Sequence, residues 1–328
     1  MLLALSNKRI NPKDKINKIL FTVKRLFENA HPFLQLLIFL FITLVALTLI
    51  MFVGIVVAIP IFDLSIANLG SIMSQSGNPE FINFMKFLQT LQGIGLFTVP
   101  PILAAYLFAP SVKDYLGLQS PNANSSFLLV ILIMLLAIPL INLIAYFNAN
   151  IDFPASLDSL ENYLKVKEES AQQLIEAFLN VNTVGGLLFN IFLIGVLPAI
   201  GEELAFRGIL QRLFTNWSRN PHVGIIVAAF LFSAMHMQFY GFIPRFLLGM
   251  LFGYLYYWSG SIWMPILAHF VNNTTAVLAY FFMGGEMVEQ MDNMGVTTET
   301  IIAAVIGAVL FSWTVYFFWK REKGAVIN

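Results

Sequence analysis

Eight runs of about twenty apolar residues, each broken by a short polar stretch, leave this chain very few ways to fold. An α-helix needs about twenty such residues to cross a hydrocarbon core of roughly 30 Å, since each residue adds about 1.5 Å. The runs lie near 33–60, 83–108, 126–147, 184–214, 222–240, 241–258, 262–283 and 300–319. A transmembrane β-barrel would show short alternating segments instead, and none is present. Only 11% of the 328 residues are charged, where a soluble domain carries about 25%. The reading is an all-α, polytopic transmembrane bundle of about eight spans.

The few charges orient it. Seven Lys or Arg (Lys8, Arg9, Lys13, Lys15, Lys18, Lys24, Arg25) precede the first span, and Lys320, Arg321 and Lys323 follow the last. By the positive-inside rule both termini are expected in the cytoplasm, which an even number of spans allows. Arg212 and Arg219 agree, lying between the fourth and fifth spans. Twelve of the eighteen acids fall in the expected outer loops: Asp63 and Glu80, then Asp152, Asp158, Glu161, Glu168, Glu169 and Glu176, then Glu286, Glu289, Asp292 and Glu299. This bias suits a bacterial-type cytoplasmic membrane. Basic and acidic residues balance to zero net charge, so nucleic acid is not expected as a partner. With no cysteine, disulfides, thiolate metal sites and cysteine nucleophiles are excluded.

The chain divides into a basic segment (1–32), N-terminal spans with one long polar excursion (33–182), a core (183–283), and an outer loop with the last span and tail (284–328). Within the excursion, Leu157, Leu160, Leu164, Leu174, Ile175 and Phe178 recur among charges, the pattern of an amphipathic helix on the outer surface.

Ionisable groups inside spans are costly, and they are where function is sought first. They concentrate in the core. Glu202-Glu203-Leu204-Ala205-Phe206-Arg207 interrupts the apolar stretch from Val184 to Phe214, Phe232-Ser233-Ala234-Met235-His236 lies in the fifth run, and His269-Phe270-Val271-Asn272-Asn273 in the seventh. Counting helical rise from the span ends puts Glu202 and His236 roughly 18 and 21 Å deep, and His269 and Asn273 roughly 10 and 17 Å. Glu203 and Arg207 are four residues apart, the spacing of an intrahelical ion pair, and this leaves Glu202 as the unpaired carboxyl. His269 and Asn273 share a helix face by the same spacing. Pro198 is expected to kink the helix and to free backbone groups beside the site.

A carboxylate, two imidazoles and an amide in a low-dielectric pocket suit activation of water against a carbonyl. Glu202 would take the proton, His236 would position the water, and His269 with Asn273 would donate to the oxyanion. Glu202, His236 and His269 could equally hold a divalent metal such as zinc. The absence of any dense ligand motif favours glutamate and water. A proton-coupled transporter would use the same groups as a relay near the midplane.

The three motifs, E-E-x-x-x-R, F-x-x-x-H and H-x-x-x-N, in this order on successive spans, resemble the CPBP family of intramembrane proteases, which includes the type II CAAX prenyl endopeptidases and the bacteriocin-immunity-associated Abi proteins. The resemblance covers about residues 185–283. It implies eight helices and a membrane endopeptidase acting on a membrane-associated peptide or protein. It also implies Glu202, His236, His269 and Asn273 as catalytic residues, with Glu203 and Arg207 supporting them. A non-proteolytic, immunity-type member is the alternative within that family. Approach to the scissile bond is expected from the cytoplasmic half.

Overall fold

The computed structural model describes residues 24–63, 78–288 and 295–326, with side chains as far as 322. Lys8, Arg9, Lys13, Lys15, Lys18, Glu289 and Asp292, and the side chain of Lys323, lie outside the described residues. Among those described there is no strand. The helices are α1 (Pro32–Ile61), α2 (Pro79–Phe108), the short α3 (Val112–Leu116), α4 (Ser125–Ala149), α5 (Asp158–Leu179) and α6 (Val184–Ser218). They continue with α7 (Pro221–Ala234), α8 (Phe242–Ser259), α9 (Trp263–Met283) and α10 (Thr298–Val326).

Seven of these, with α8 counted from Phe239, are long and apolar enough to cross a membrane among the described residues, and α7 is a shorter apolar helix. The protein is thus an integral membrane protein built as an all-α polytopic bundle. The expected fifth span, 222–240, is only partly helical. α7 has 14 residues, about 21 Å of helix, less than the hydrocarbon thickness. Past Ala234 the chain turns, with Met237 at φ 54, and a 3₁₀ turn at Phe239–Gly241 leads into α8.

Local chemistry starts these helices where the sequence changes character. Pro32, Pro79 and Pro221 each occupy the first turn, where their missing N–H costs no intrahelical bond. The preceding residues cap them: His31 accepts from Phe33 N, Asn78 from Glu80 N at 3.0 Å and Asn220 from His222 N at 2.9 Å.

Polar side chains tie the bundle where lipid-like packing gives little specificity. At one end, Arg25 N and Phe27 N donate to Tyr106 O and Leu107 O at the close of α2. Buried Glu322 of α10 accepts there from Asn122 Nδ2 (2.8 Å) and from Ser126 Oγ. Both ends of the described chain therefore lie at the same end of the bundle. At the opposite end lies α5, the amphipathic helix expected in the polar excursion. It turns Leu164, Leu174 and Phe178 toward the bundle, and leaves Leu157, Leu160 and Ile175 exposed. Its last turn is fastened by buried Lys86 of α2, whose Nζ donates to Phe178 O (2.8 Å) and to Asn190 Oδ1 of α6 (2.9 Å).

Two helices are wound more loosely than α. α2 has a π-helical stretch at Ile94–Thr98, and α6 has two, at Ile191–Val196 and Leu204–Gln211. Such segments are rare and often accompany functional sites. The π turn of α2 packs on α6 at Gly201, where a Cβ would stand 2.9 Å from Phe97 Cβ and 3.3 Å from the Phe97 carbonyl carbon. Gly201→Ala should therefore overpack this contact, costing about 1–3 kcal/mol. The expected result is a lower thermal midpoint for the detergent-solubilised protein, read by the change in helical circular dichroism.

Candidate active site

Glu202 lies near the middle of the 35-residue α6, immediately before the π-helical stretch that carries Arg207. Glu203 and Arg207 are both fully buried and pair at 2.8 Å between Oε1 and Nη1, as their spacing predicts. The same Glu203 Oε1 lies 2.9 Å from His269 Nδ1 on α9. A carboxylate can only accept, so Nδ1 carries the proton and donates it, and Nε2 is left facing away from Glu203. That nitrogen lies 4.0 Å from Glu202 Oε2. The buried oxygen itself has no hydrogen-bond partner among the described residues. Glu202 keeps 14% of its side chain exposed, so a small reactant has a route to it.

Arg207 is also anchored to α8, where Nη2 donates to Gly249 O at 2.9 Å. One turn along, Gln211 Nε2 donates to Gly253 O at 3.1 Å. These acceptors are the two glycines of Gly249-Met250-Leu251-Phe252-Gly253. A Cβ on Gly249 would stand 3.1 Å from that of Ala229, and one on Gly253 2.9 Å from Gln211 Oε1. The G-x-x-x-G spacing in an apolar run is a legible signal for close helix approach, one that lies outside the three ionisable motifs.

An aromatic frame surrounds the ion pair. Arg207 Cζ lies 4.8 Å from the Phe232 ring centroid, 5.4 Å from Phe252 and 6.0 Å from Phe206. This surrounds the guanidinium with ring faces suited to a desolvated cation. Phe252 stacks on His269 at 5.4 Å, and Phe232 meets its edge at 5.8 Å. Phe232 is visible in the sequence as the first residue of F-x-x-x-H. Phe252 carries no sequence signal, because one phenylalanine among 32 is indistinguishable until the fold places it.

His236 departs from expectation. It is not deep within a continuing helix but in the exposed turn after α7. Its Nδ1 is 2.8 Å from Phe232 O, so it too donates from Nδ1 and leaves Nε2 free. Its ring packs against Phe232 at 5.3 Å, so both histidines contact the same phenylalanine. The turn is pinned at the α5 end of the bundle. Asn148 of α4 accepts from Ile243 N (2.7 Å) and donates to Phe239 O (3.2 Å), and Glu168 of α5 accepts from Tyr240 N (3.2 Å). His236 thus sits where α7 ends, on the α5 side of the bundle, because the chain turns after Ala234 instead of continuing as helix.

Asn273 is likewise engaged. Its Nδ2 donates to Ile194 O on α6 at 2.8 Å, and its Oδ1 accepts from Asn272 Nδ2 at 3.2 Å. Ile194 is four residues before Pro198, and in an α-helix its carbonyl would accept from the N–H that proline lacks. Asn273 supplies a donor to the carbonyl freed by the kink, and one amide N–H remains for another partner.

Among the described residues no three His, Asp or Glu side chains gather so as to hold one metal ion. Glu202, His236 and His269 form no such group among the described residues. Beside the site, an apolar cavity of about 260 Å³ is lined by Val196, Ala199 and Ile200 of α6 and by Ile266, Leu267 and Phe270 of α9.

A buried ion pair broken on one side leaves an uncompensated charge. Arg207→Met is expected to destabilise the protein by about 3–5 kcal/mol, seen as a fall in the thermal midpoint in detergent. The double variant Glu203→Gln/Arg207→Met should recover part of the loss, because no lone charge is left.

Residues 184–275 match the family model described as type II CAAX prenyl endopeptidase Rce1-like. Over 86 residues the chain is 31% identical to the uncharacterized protein YpbD of Bacillus subtilis (strain 168), an alignment covering 25% of this chain and 41% of that protein. No solved structure matches. The matched segment runs from the start of α6 into α9 and contains all three motifs, so the similarity falls where the motif order places it.

Proposed function

We propose that this protein is an intramembrane endopeptidase that hydrolyses a peptide bond of a membrane-associated peptide or protein, with residues 183–283 as its catalytic core. The observation that carries the reading is Glu202. It is a carboxyl at the middle of a membrane-length helix, with one buried oxygen unpartnered and an imidazole nitrogen 4.0 Å away. A gap of that size suits a bridging water.

In the proposed reaction Glu202 takes a proton from water, and the resulting hydroxide attacks the scissile carbonyl carbon. His236, neutral with Nε2 as acceptor, orients that water. His269 and the remaining N–H of Asn273 stabilise the oxyanion by hydrogen bonds. Collapse of the tetrahedral intermediate breaks the C–N bond, and the proton held by Glu202 passes to the departing amine. Glu203 and Arg207 act through His269, fixing its ring and its Nδ1 proton. The apolar cavity beside α6 and α9 would receive an apolar part of the substrate.

Glu202→Gln keeps the shape of the side chain and removes its basicity. In purified protein assayed against a panel of membrane-associated peptides, it should lower kcat by about 10²- to 10⁴-fold, with unchanged elution in gel filtration. Full activity would overturn the proposal.

For orientation, we propose that the end holding Lys24, Arg25, Arg219 and Arg321 faces the cytoplasm of a bacterial-type membrane, and that α5 lies outside. The chain has no cysteine, so single cysteines report cleanly. A membrane-impermeant maleimide should label Ser170→Cys in intact cells and Ser218→Cys only after permeabilisation. The reverse pattern would invert the assignment.

A further inference from the structure

Arg245 takes no part in the reaction proposed above. It lies in the first turn of α8, on the side of the site where His236 sits. One arm of its guanidinium is held in place, with Nη2 donating to Gln238 Oε1 at 2.8 Å. The group folds over Gly241, where a Cβ would stand 3.0 Å from Nη2 and 3.5 Å from Cζ. The other arm is unspent. Nη1 is buried and has no hydrogen-bond partner among the described residues.

Burying such a donor unpaired costs about 1–3 kcal/mol, and no acid bonds to it directly among the described residues. Arg245 is near enough to Glu202, His236 and Glu168 for their charges to interact, yet it forms no ion pair within 4.0 Å among the described residues. Glu168 gives its Oε2 to Tyr240 N instead. A guanidinium immobilised on one arm, open on the other and without a directly paired acid is suited to receive a carboxylate, because its planar fork matches two carboxylate oxygens. A role confined to offsetting the charge of Glu202 would need neither the Gln238 tether nor the clearance at Gly241.

We infer that Arg245 is a specificity-determining residue that binds a carboxylate of the substrate peptide, either its C-terminus or an acidic side chain, beside Glu202. The inference rests on the endopeptidase reading for its substrate, but binding can be tested apart from turnover.

The probes are three dansyl-labelled apolar hexapeptides of otherwise identical sequence: one with a free C-terminal acid, one with a C-terminal amide, and one amide carrying a single internal Glu. Each is titrated by fluorescence anisotropy against the full chain in neutral maltoside detergent, in the Glu202→Gln background so that none is consumed. At least one carboxylate-bearing peptide should bind about 10- to 100-fold tighter than the neutral amide, and which of the two does so identifies the source of the carboxylate. Arg245→Gln should erase that preference and leave neutral-amide binding unchanged, while Arg245→Lys should retain part of it. Gly241→Ala, which displaces the fork without removing the charge, should weaken it and serves if Arg245→Gln does not fold. Equal binding of all three peptides by the parent, or a preference that survives in both Arg245→Gln and Gly241→Ala, would overturn the inference. Full turnover by Glu202→Gln would instead overturn the role given to Glu202 in the proposed reaction and leave the binding result standing.

Discussion

The buried contact of Glu203 with Arg207 and His269 holds the core together. Each of the three costs free energy to remove from water, and Arg207 and His269 share one oxygen of Glu203, at 2.8 and 2.9 Å, within a chain that is 58% hydrophobic. In such surroundings an ion pair is tolerated only with close geometry and further hydrogen bonds. Here the Gly249 carbonyl and three aromatic rings supply them. Apolar packing between membrane helices is weakly directional, because lipid offers the same contacts. A shared polar node therefore does what packing cannot, and sets the mutual rotation of α6, α8 and α9.

The second constraint is backbone. Pro198 removes a donor where α6 approaches the glutamates, and water is not at hand in a bilayer to take its place. The Asn273 amide does so, joining α9 to α6 at Ile194. The π-helical stretches on either side of Leu197–Glu203 shift the register at which α6 presents its side chains. Glu202 and Glu203 thus face different partners although they are adjacent in sequence. Asn273 joins the two helices with one N–H and keeps the other, and each histidine is likewise held by Nδ1 and leaves Nε2.

Much of this was legible in advance. The span positions follow from apolar length, and the ends of α1, α2 and α7 from Pro preceded by His or Asn. The Glu203–Arg207 pair follows from helical spacing, and so does the isolation of Glu202. The amphipathic α5 was legible as well, though its inward face includes Glu161 and Glu168, which a hydrophobic count does not select. The stop of α7 at Ala234 was not. Residues 235–240 are as compatible with helix as those before them, and the break depends on Asn148 and Glu168, about 90 and 70 residues away in sequence, binding the turn.

The sequence by itself determined that the chain crosses a membrane as a helix bundle, which residues are too costly to bury without partners, and the family whose model residues 184–275 match. Helical period and transfer free energy are local properties, and they suffice for that. Tertiary structure alone decided which partner each costly group takes. His269 is bound to Glu203 rather than standing free beside Asn273, His236 lies on an outer turn, Asn273 answers a proline, and Arg245 keeps one arm unspent. These outcomes depend on distances between helices, set by glycine contacts and aromatic rings that no one-dimensional pattern encodes.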